Sequence, residues 1–279
     1  MCYTQVNIDN MTYIESIVLG LIQGLTEFLP VSSSGHLVLA HDFLGIVGEG
    51  SLAFDAVLHL ATATAVLIYF KKDFWILFQA LLRKLGRLPV HARDLTLAYA
   101  LLVGTIPAVI IGIFLEDIMA TLFRNPILVA GSLIAGSLLF VYAEWRYYNS
   151  TPQNDLSLSK AVKIGLFQCL AFVPGFSRSG ATIAGGMLMG LSRSEAARFG
   201  FLLAVPLLMG AGGKKLLELI SVGGDFPVGT ILAGAVTAFV VGLMAIHFML
   251  SFVRKYSLWP FVWYRLFLAL LVIYIFALS

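Results

Sequence analysis

Long apolar runs alternate with short polar breaks along this chain, and the lengths of the runs predict its elements. A helix needs about 20 apolar residues to cross a bilayer. Residues 52–70, 94–115, 126–145, 194–213, 227–252 and 259–277 meet that length, the second with Pro107 as a tolerated kink. Two other regions fall short. Residues 13–29 end at Pro30, which removes a backbone donor and disfavours a helical predecessor. After a turn at 31–35, residues 36–46 are apolar again but only about half a span long. Residues 161–173 and 179–190 form a second short pair, joined by Pro-Gly-Phe-Ser-Arg-Ser at 174–179. Both pairs read as re-entrant hairpins, 13–46 and 161–190, whose irregular turns must be buried in protein or line a wet cavity. The pattern predicts an all-α polytopic membrane protein: six transmembrane helices plus two re-entrant helical hairpins, in a single membrane domain over 1–279. A polar lead (1–12), a basic loop (71–93) with an amphipathic piece at 74–85, and a polar loop (146–163) complete it.

The two hairpins repeat one another. Shifted by 145 residues without gaps, Gly20, Leu21, Gln23, Leu25, Ser32, Ser34, Gly35 and Gly45 fall on Gly165, Leu166, Gln168, Leu170, Ser177, Ser179, Gly180 and Gly190. This divides the chain into halves of about 13–145 and 160–278. Loop charge then sets orientation, because Lys and Arg collect on the cytoplasmic side. With Lys71, Lys72, Arg83, Lys84, Arg87 and Arg93 inside, threading the spans puts Arg146, Lys160, Lys163, Arg193, Arg198, Arg254 and Lys255 inside too. Only Arg124, Lys214 and Lys215 fall outside. Both termini are then expected outside, with the first hairpin entering from outside and the second from inside. Such inverted-topology repeats place their site where the broken helices meet.

Composition agrees and excludes several classes. Of 279 residues 59% are hydrophobic and 12% charged, about half the charged share of a soluble domain. The net charge of +3 is too small to suggest nucleic acid as a partner. Cys2 and Cys169 lie too far apart in character for a disulfide framework. Residues 1–13 lack the basic start and apolar core of a signal peptide, so the spans are expected to direct membrane insertion.

Against this background the polar groups of the hairpins stand out. Ionisable groups inside a membrane are costly and mark function. The first hairpin carries Gln23, Glu27, Ser32, Ser33, Ser34 and His36, and the second Ser177, Arg178, Ser179 and Thr182. Arg178 opens a helix in a Gly/Ser-rich turn. Its fork matches phosphate oxygens, and helix N-termini attract anions; the hydroxyls of Ser177, Ser179 and Thr182 complete an oxyanion cradle. The competing role for Arg178 is simple neutralisation of Glu27. Gln23 and Glu27 share a helical face and offer oxygen to a divalent cation. Two nucleophiles fit phosphoryl transfer: a serine activated by histidine, or His36 itself. His59, Asp55 and Thr62 rank lower as cavity-lining groups, and Arg265 either reaches the interface or faces the bundle.

The segments Glu-x-Leu-Pro-x-Ser-Ser-x-Gly-His at 27–36 and Pro-Gly-Phe-Ser-Arg-Ser-Gly-Ala-Thr at 174–182 resemble the two signatures of the undecaprenyl-diphosphate phosphatases, integral-membrane enzymes associated with bacitracin resistance. The resemblance extends to Phe-Asp-Ala-Val-Leu-His at 54–59 and Phe-Leu-Leu-Ala-Val-Pro at 201–206. It implies hydrolysis of a polyprenyl diphosphate lipid to the monophosphate plus phosphate, recycling the carrier of cell-wall glycans at a site open to the outer face of the plasma (inner) membrane. It also implies catalytic Glu27, Ser33, His36 and Arg178 and a divalent cation (Mg2+ or Ca2+) on Glu27 and Gln23, while the hydroxyls of Ser32, Ser34, Ser177, Ser179 and Thr182 are expected from their place in the two turns to bind substrate. The family's first acidic position is often Glu and here is Gln23, a weaker ligand. The bilayer is the other expected partner, and a homo-oligomer is left open. The alternative function is a transporter or flippase of polyprenyl phosphate lipids, alone or combined with hydrolysis, because inverted repeats are common in transporters.

Overall fold

The computed structural model describes residues 11–46, 49–121, 125–222 and 227–277, with side chains left undescribed at 49–52, 116–121, 218–222 and 277. The lead at 1–10, Cys2 and Arg124 lie outside the described residues. Helices α1 (Tyr13–Phe28), α2 (Ser33–Leu44), α3 (Glu49–Tyr69), α4 (Lys71–Leu85), α5 (Ala92–Thr121), α6 (Pro126–Tyr148), α7 (Leu158–Cys169), α8 (Arg178–Leu188), α9 (Arg193–Val222), α10 (Val228–Val253) and α11 (Trp259–Ala277) follow in order. A 3-10 turn, Leu170–Phe172, continues α7.

Local chemistry sets the ends. Thr12 and Glu15 form a reciprocal capping box at the start of α1. Pro30 lies two residues beyond its end, as expected. Gly45, at φ 68°, closes α2 in the left-handed conformation that glycine adopts without penalty. His41 Nε2 meets Asp55 Oδ1 at 2.8 Å and ties α2 to α3.

Five segments, Ala92–Leu115, Pro126–Tyr148, Arg193–Leu217, Val228–Val253 and Trp259–Phe276, are each long and apolar enough to cross a membrane. The sixth expected span is more complicated. Ala53–Tyr69 turns through 77° into Lys71–Leu85, and the two qualify only as a bent pair. The amphipathic pattern at 74–85 is this α4, which buries Leu77 and Ala80 and exposes Trp75, Phe78 and Leu82. Large apolar side chains also cover the outward faces of the spans, among them Ile106, Ile110 and Ile113 on α5 and Trp263, Phe267 and Leu270 on α11. In water such a surface would be an aggregation liability; in lipid it is the solvent-facing side. The chain is a multi-pass membrane protein.

Of the two short pairs, α8 is buried from Ser179 to Met187, whereas α1 and α7 each keep an exposed apolar face, with Ile14 and Leu25 on one and Val162 and Leu166 on the other. Helix α1 packs on α10, whereas its counterpart α7 packs on α5; α3 packs on α9, and α6 on α11. The first helix of each short pair thus packs on a long helix from the other half of the chain. The sequence basis of this packing is the repeated glycine. A Cβ on Gly20 would run into the carbonyl of Gly234, and one on Gly165 into the carbonyl of Gly104. Helix pairs in membranes approach this closely only through small residues. Gly185 against Phe167 and Gly186 against Ala196 serve the same purpose around α8.

Gly165→Val is expected to destabilise the protein by roughly 1–3 kcal/mol through overpacking, seen as a lowered thermal midpoint in detergent. Gly210→Ala, where an added Cβ meets nothing within 4 Å, should leave it unchanged.

Candidate active site

Each hairpin turns on a serine with a positive φ. Ser32 has φ 77° and ψ 98°, and Ser177 has φ 79° and ψ 117°. These conformations are costly for a residue with a side chain and persist only where the surroundings enforce them. Both serines cap the helix that follows: Ser32 Oγ accepts from Gly35 N at 3.2 Å, and Ser177 Oγ from Gly180 N at 3.1 Å. Each also lies 3.3 Å from the serine two residues on, Ser34 or Ser179. The aligned sequence positions thus share one local geometry.

The two turns are bonded across to one another. Gly175 N donates to Ser32 Oγ at 3.0 Å, and Ser179 Oγ donates to the Leu29 carbonyl at 3.1 Å. The first-turn amides of α2 and α8 have no intrahelical acceptor and carry the positive ends of the helix dipoles.

Glu27 is the centre of the cluster and only 4% exposed. Arg178 Nη2 donates to its Oε1 at 2.5 Å. Its Oε2 accepts from Ser33 Oγ at 2.5 Å and Gln23 Nε2 at 2.9 Å, and His59 Nδ1 lies 3.3 Å away. Gln23 Nε2 is also 2.8 Å from His59 Nδ1 and 3.4 Å from Thr62 Oγ1. Two buried atoms here have no partner among the described residues, Arg178 Nη1 and Gln23 Oε1. A buried donor and a buried acceptor left unmade are costly, and they give the cluster unused capacity for an anion and a cation.

The expected residues therefore separate by position. Gln23, Glu27, Ser33 and Arg178 converge. Ser34 is half-buried beside them. Ser32 and Ser177 are buried caps, and Ser179 spends its hydroxyl on the other hairpin. Thr182 donates back to the carbonyls of Arg178 and Ser179, at 3.0 and 3.1 Å, and packs on Gly200. His36 is not joined to Ser33: its Nδ1 is 2.7 Å from the Ser32 carbonyl and its Nε2 2.7 Å from the Tyr264 hydroxyl, with the two rings stacked. The group that holds the Ser33 hydroxyl is Glu27.

His59, Tyr264 and Arg265 are underweighted by sequence reasoning. The signal for His59 was its i,i+3 spacing with Thr62, which puts both on the face of α3 that meets Gln23. Tyr264 and Arg265 form a polar pair inside an otherwise apolar span. Arg265 faces the bundle and is fully buried.

The Gln23 and Glu27 oxygens suit a hard divalent cation. Among the described residues no group of three or more His, Cys, Asp or Glu could hold a metal on its own. A cation here would take its remaining ligands from substrate and water, as magnesium commonly does with phosphates.

Residues 16–271 match the model of the family described as bacitracin resistance protein BacA. An undecaprenyl-diphosphatase of Rubrobacter xylanophilus is 44% identical over 266 residues, covering 93% of this chain and 96% of its own. An undecaprenyl-diphosphatase of Alteromonas mediterranea is 41% identical over 268 residues, covering 96% of this chain and all of its own.

Replacing Arg178 by Met strands the Glu27 carboxylate, at an expected cost of roughly 3–5 kcal/mol. Arg178→Met combined with Glu27→Gln should recover most of that loss. Thermal denaturation of the two single variants and the double variant measures the coupling.

Proposed function

The chain belongs to the bacitracin resistance protein BacA family, and from that membership we propose that it hydrolyses undecaprenyl diphosphate to undecaprenyl monophosphate and phosphate, returning the lipid carrier to cell-wall glycan synthesis. The observation that carries the chemistry is the Ser33–Glu27–Arg178 cluster, built from both hairpins. A hydroxyl held by a carboxylate is positioned to attack, and the carboxylate to take its proton.

Ser33 Oγ attacks the terminal phosphorus as its proton passes to Glu27. The bond from that phosphorus to the bridging oxygen breaks, and undecaprenyl monophosphate leaves. Water then cleaves the phosphoserine, releasing phosphate and restoring the hydroxyl. Phosphoryl transfer relies mainly on positioning and on positive charge around the transferred group. Arg178 Nη1 and the first-turn amides of α2 and α8 supply that charge, with the Ser34 hydroxyl at the rim. Ser32, Ser177, Ser179 and Thr182 shape the cradle. His36, held between Ser32 and Tyr264, orients the first turn. Gln23 and Glu27 would hold Mg2+ or Ca2+, which when bound neutralises diphosphate charge.

The site opens to the outer face of the plasma (inner) membrane in this reading, with both termini outside and the halves related by inverted topology. The loop charges and the exchanged helix packing support that arrangement. Neither the family nor the named relatives supports transport of the lipid.

Purified protein should release phosphate from a polyprenyl diphosphate in detergent, and no release across a range of divalent cations would overturn the proposal. Glu27→Gln is expected to lower kcat by about 10²–10⁴ as loss of a general base. Arg178→Lys should lower it by about 10²–10³ as loss of a positioned donor. Chelation should abolish phosphate release, and added Mg2+ or Ca2+ should restore it.

A further inference from the structure

Arg265 is 0% exposed and forms no ion pair among the described residues. Its five N–H groups instead go to backbone carbonyls and one hydroxyl. Nε donates to the Leu133 carbonyl and Ser137 Oγ, each at 3.3 Å. Nη1 donates to the carbonyls of Pro30 and Phe176, both at 3.1 Å. Nη2 donates to the carbonyls of Gly175 at 3.1 Å, Leu133 at 3.2 Å and Ser132 at 3.4 Å. The seat is built for this group. Gly136 has no side chain where a Cβ would collide with the guanidinium, and the Phe140 ring lies 4.9 Å below it.

Pro30 and Gly175 occupy the same position in the two hairpins, 145 residues apart. One guanidinium therefore grips the equivalent carbonyl of both copies, two residues before the positive-φ serines Ser32 and Ser177. Fixing a carbonyl fixes the plane of its peptide, and the peptide of the Phe176 carbonyl carries the Ser177 N–H. A strained backbone lasts only where its surroundings enforce it. Arg265 supplies that enforcement at both turns at once. Lysine, with three donors on a point charge, has no planar fork to span them.

We propose that Arg265 is a positioning residue for phosphoryl transfer: it locks the two turns in register, so that Ser33 from one and Arg178 from the other face a single phosphate. It touches no substrate. The kinetic part of this proposal rests on the phosphatase reading above, and the register part does not.

The test compares wild type, Arg265→Lys, Arg265→Gln and the lipid-facing control Phe267→Leu by hydrogen–deuterium exchange, thermal midpoint and kinetics. In both Arg265 variants the amides of 31–35 and 175–180 are expected to exchange at least about tenfold faster, while protection of the long helices persists. A misplacement on the order of 1 Å costs about a hundredfold, so kcat should fall by about that factor with KM little changed. Phe267→Leu should match wild type in all three. Unchanged exchange in either turn, exchange raised uniformly with a collapsed midpoint, or full activity in Arg265→Lys would each overturn the proposal. If wild type released no phosphate, the phosphatase reading would fail and the exchange data alone would decide the role of Arg265.

Discussion

A carboxylate buried in an apolar bundle constrains everything around it. Glu27 cannot stay ionised there without a cation, and removing either member of such a pair is far more costly than the pair's net worth. The cation comes from the other half of the chain, 151 residues away. Folding the two halves together is thus the same event as neutralising Glu27. The pair that the sequence offers as a competing, merely structural role for Arg178 does form. It uses one nitrogen of the guanidinium and leaves Nη1 buried with no partner among the described residues. Neutralising Glu27 therefore does not exhaust the side chain.

The bundle solves a second problem with the same economy. Irregular backbone is tolerated at membrane depth only inside protein, and here each irregular turn is the other's environment. Ser32 accepts from the second turn, and Ser179 donates to the first. The glycines that let α1 close on α10 and α7 close on α5 bring the turns to this meeting point. At the far side of the helix ends a different pair does similar work: Glu144 is buried, ion-paired with Arg193, and accepts from Leu258 N at 2.7 Å. That bond fixes the entry to α11, the helix that carries Tyr264 and Arg265.

Much of this was legible in the sequence because it is local. Half-length runs broken at Pro30 and Pro174, the shifted identities, and hydroxyls beside Glu27 and Arg178 need no partner to be read. The helical class and the convergence of the two hairpins followed. Three things were not legible. The 77° turn between α3 and α4 falls at the boundary where the apolar run to residue 70 meets the basic loop from 71, but nothing in the sequence sets its angle. Activation of a serine by His36 was suggested by nearness in sequence, but an i,i+3 pair on one helix can point its groups at different neighbours, here Glu27 for Ser33 and Tyr264 for His36. His59 and Arg265 take their meaning from helices far along the chain, and no spacing rule links residue 265 to carbonyls at 30 and 175.

Gln168 aligns with Gln23 under the 145-residue shift, and it is buried with neither amide atom partnered among the described residues. Carrying the same shift onward, Phe172 stands for Glu27, Ala204 for His59 and Leu207 for Thr62. At these four aligned positions the second half keeps the amide and otherwise carries hydrocarbon, so the carboxylate, imidazole and hydroxyl that gather around Gln23 have no counterpart at the positions aligned with them.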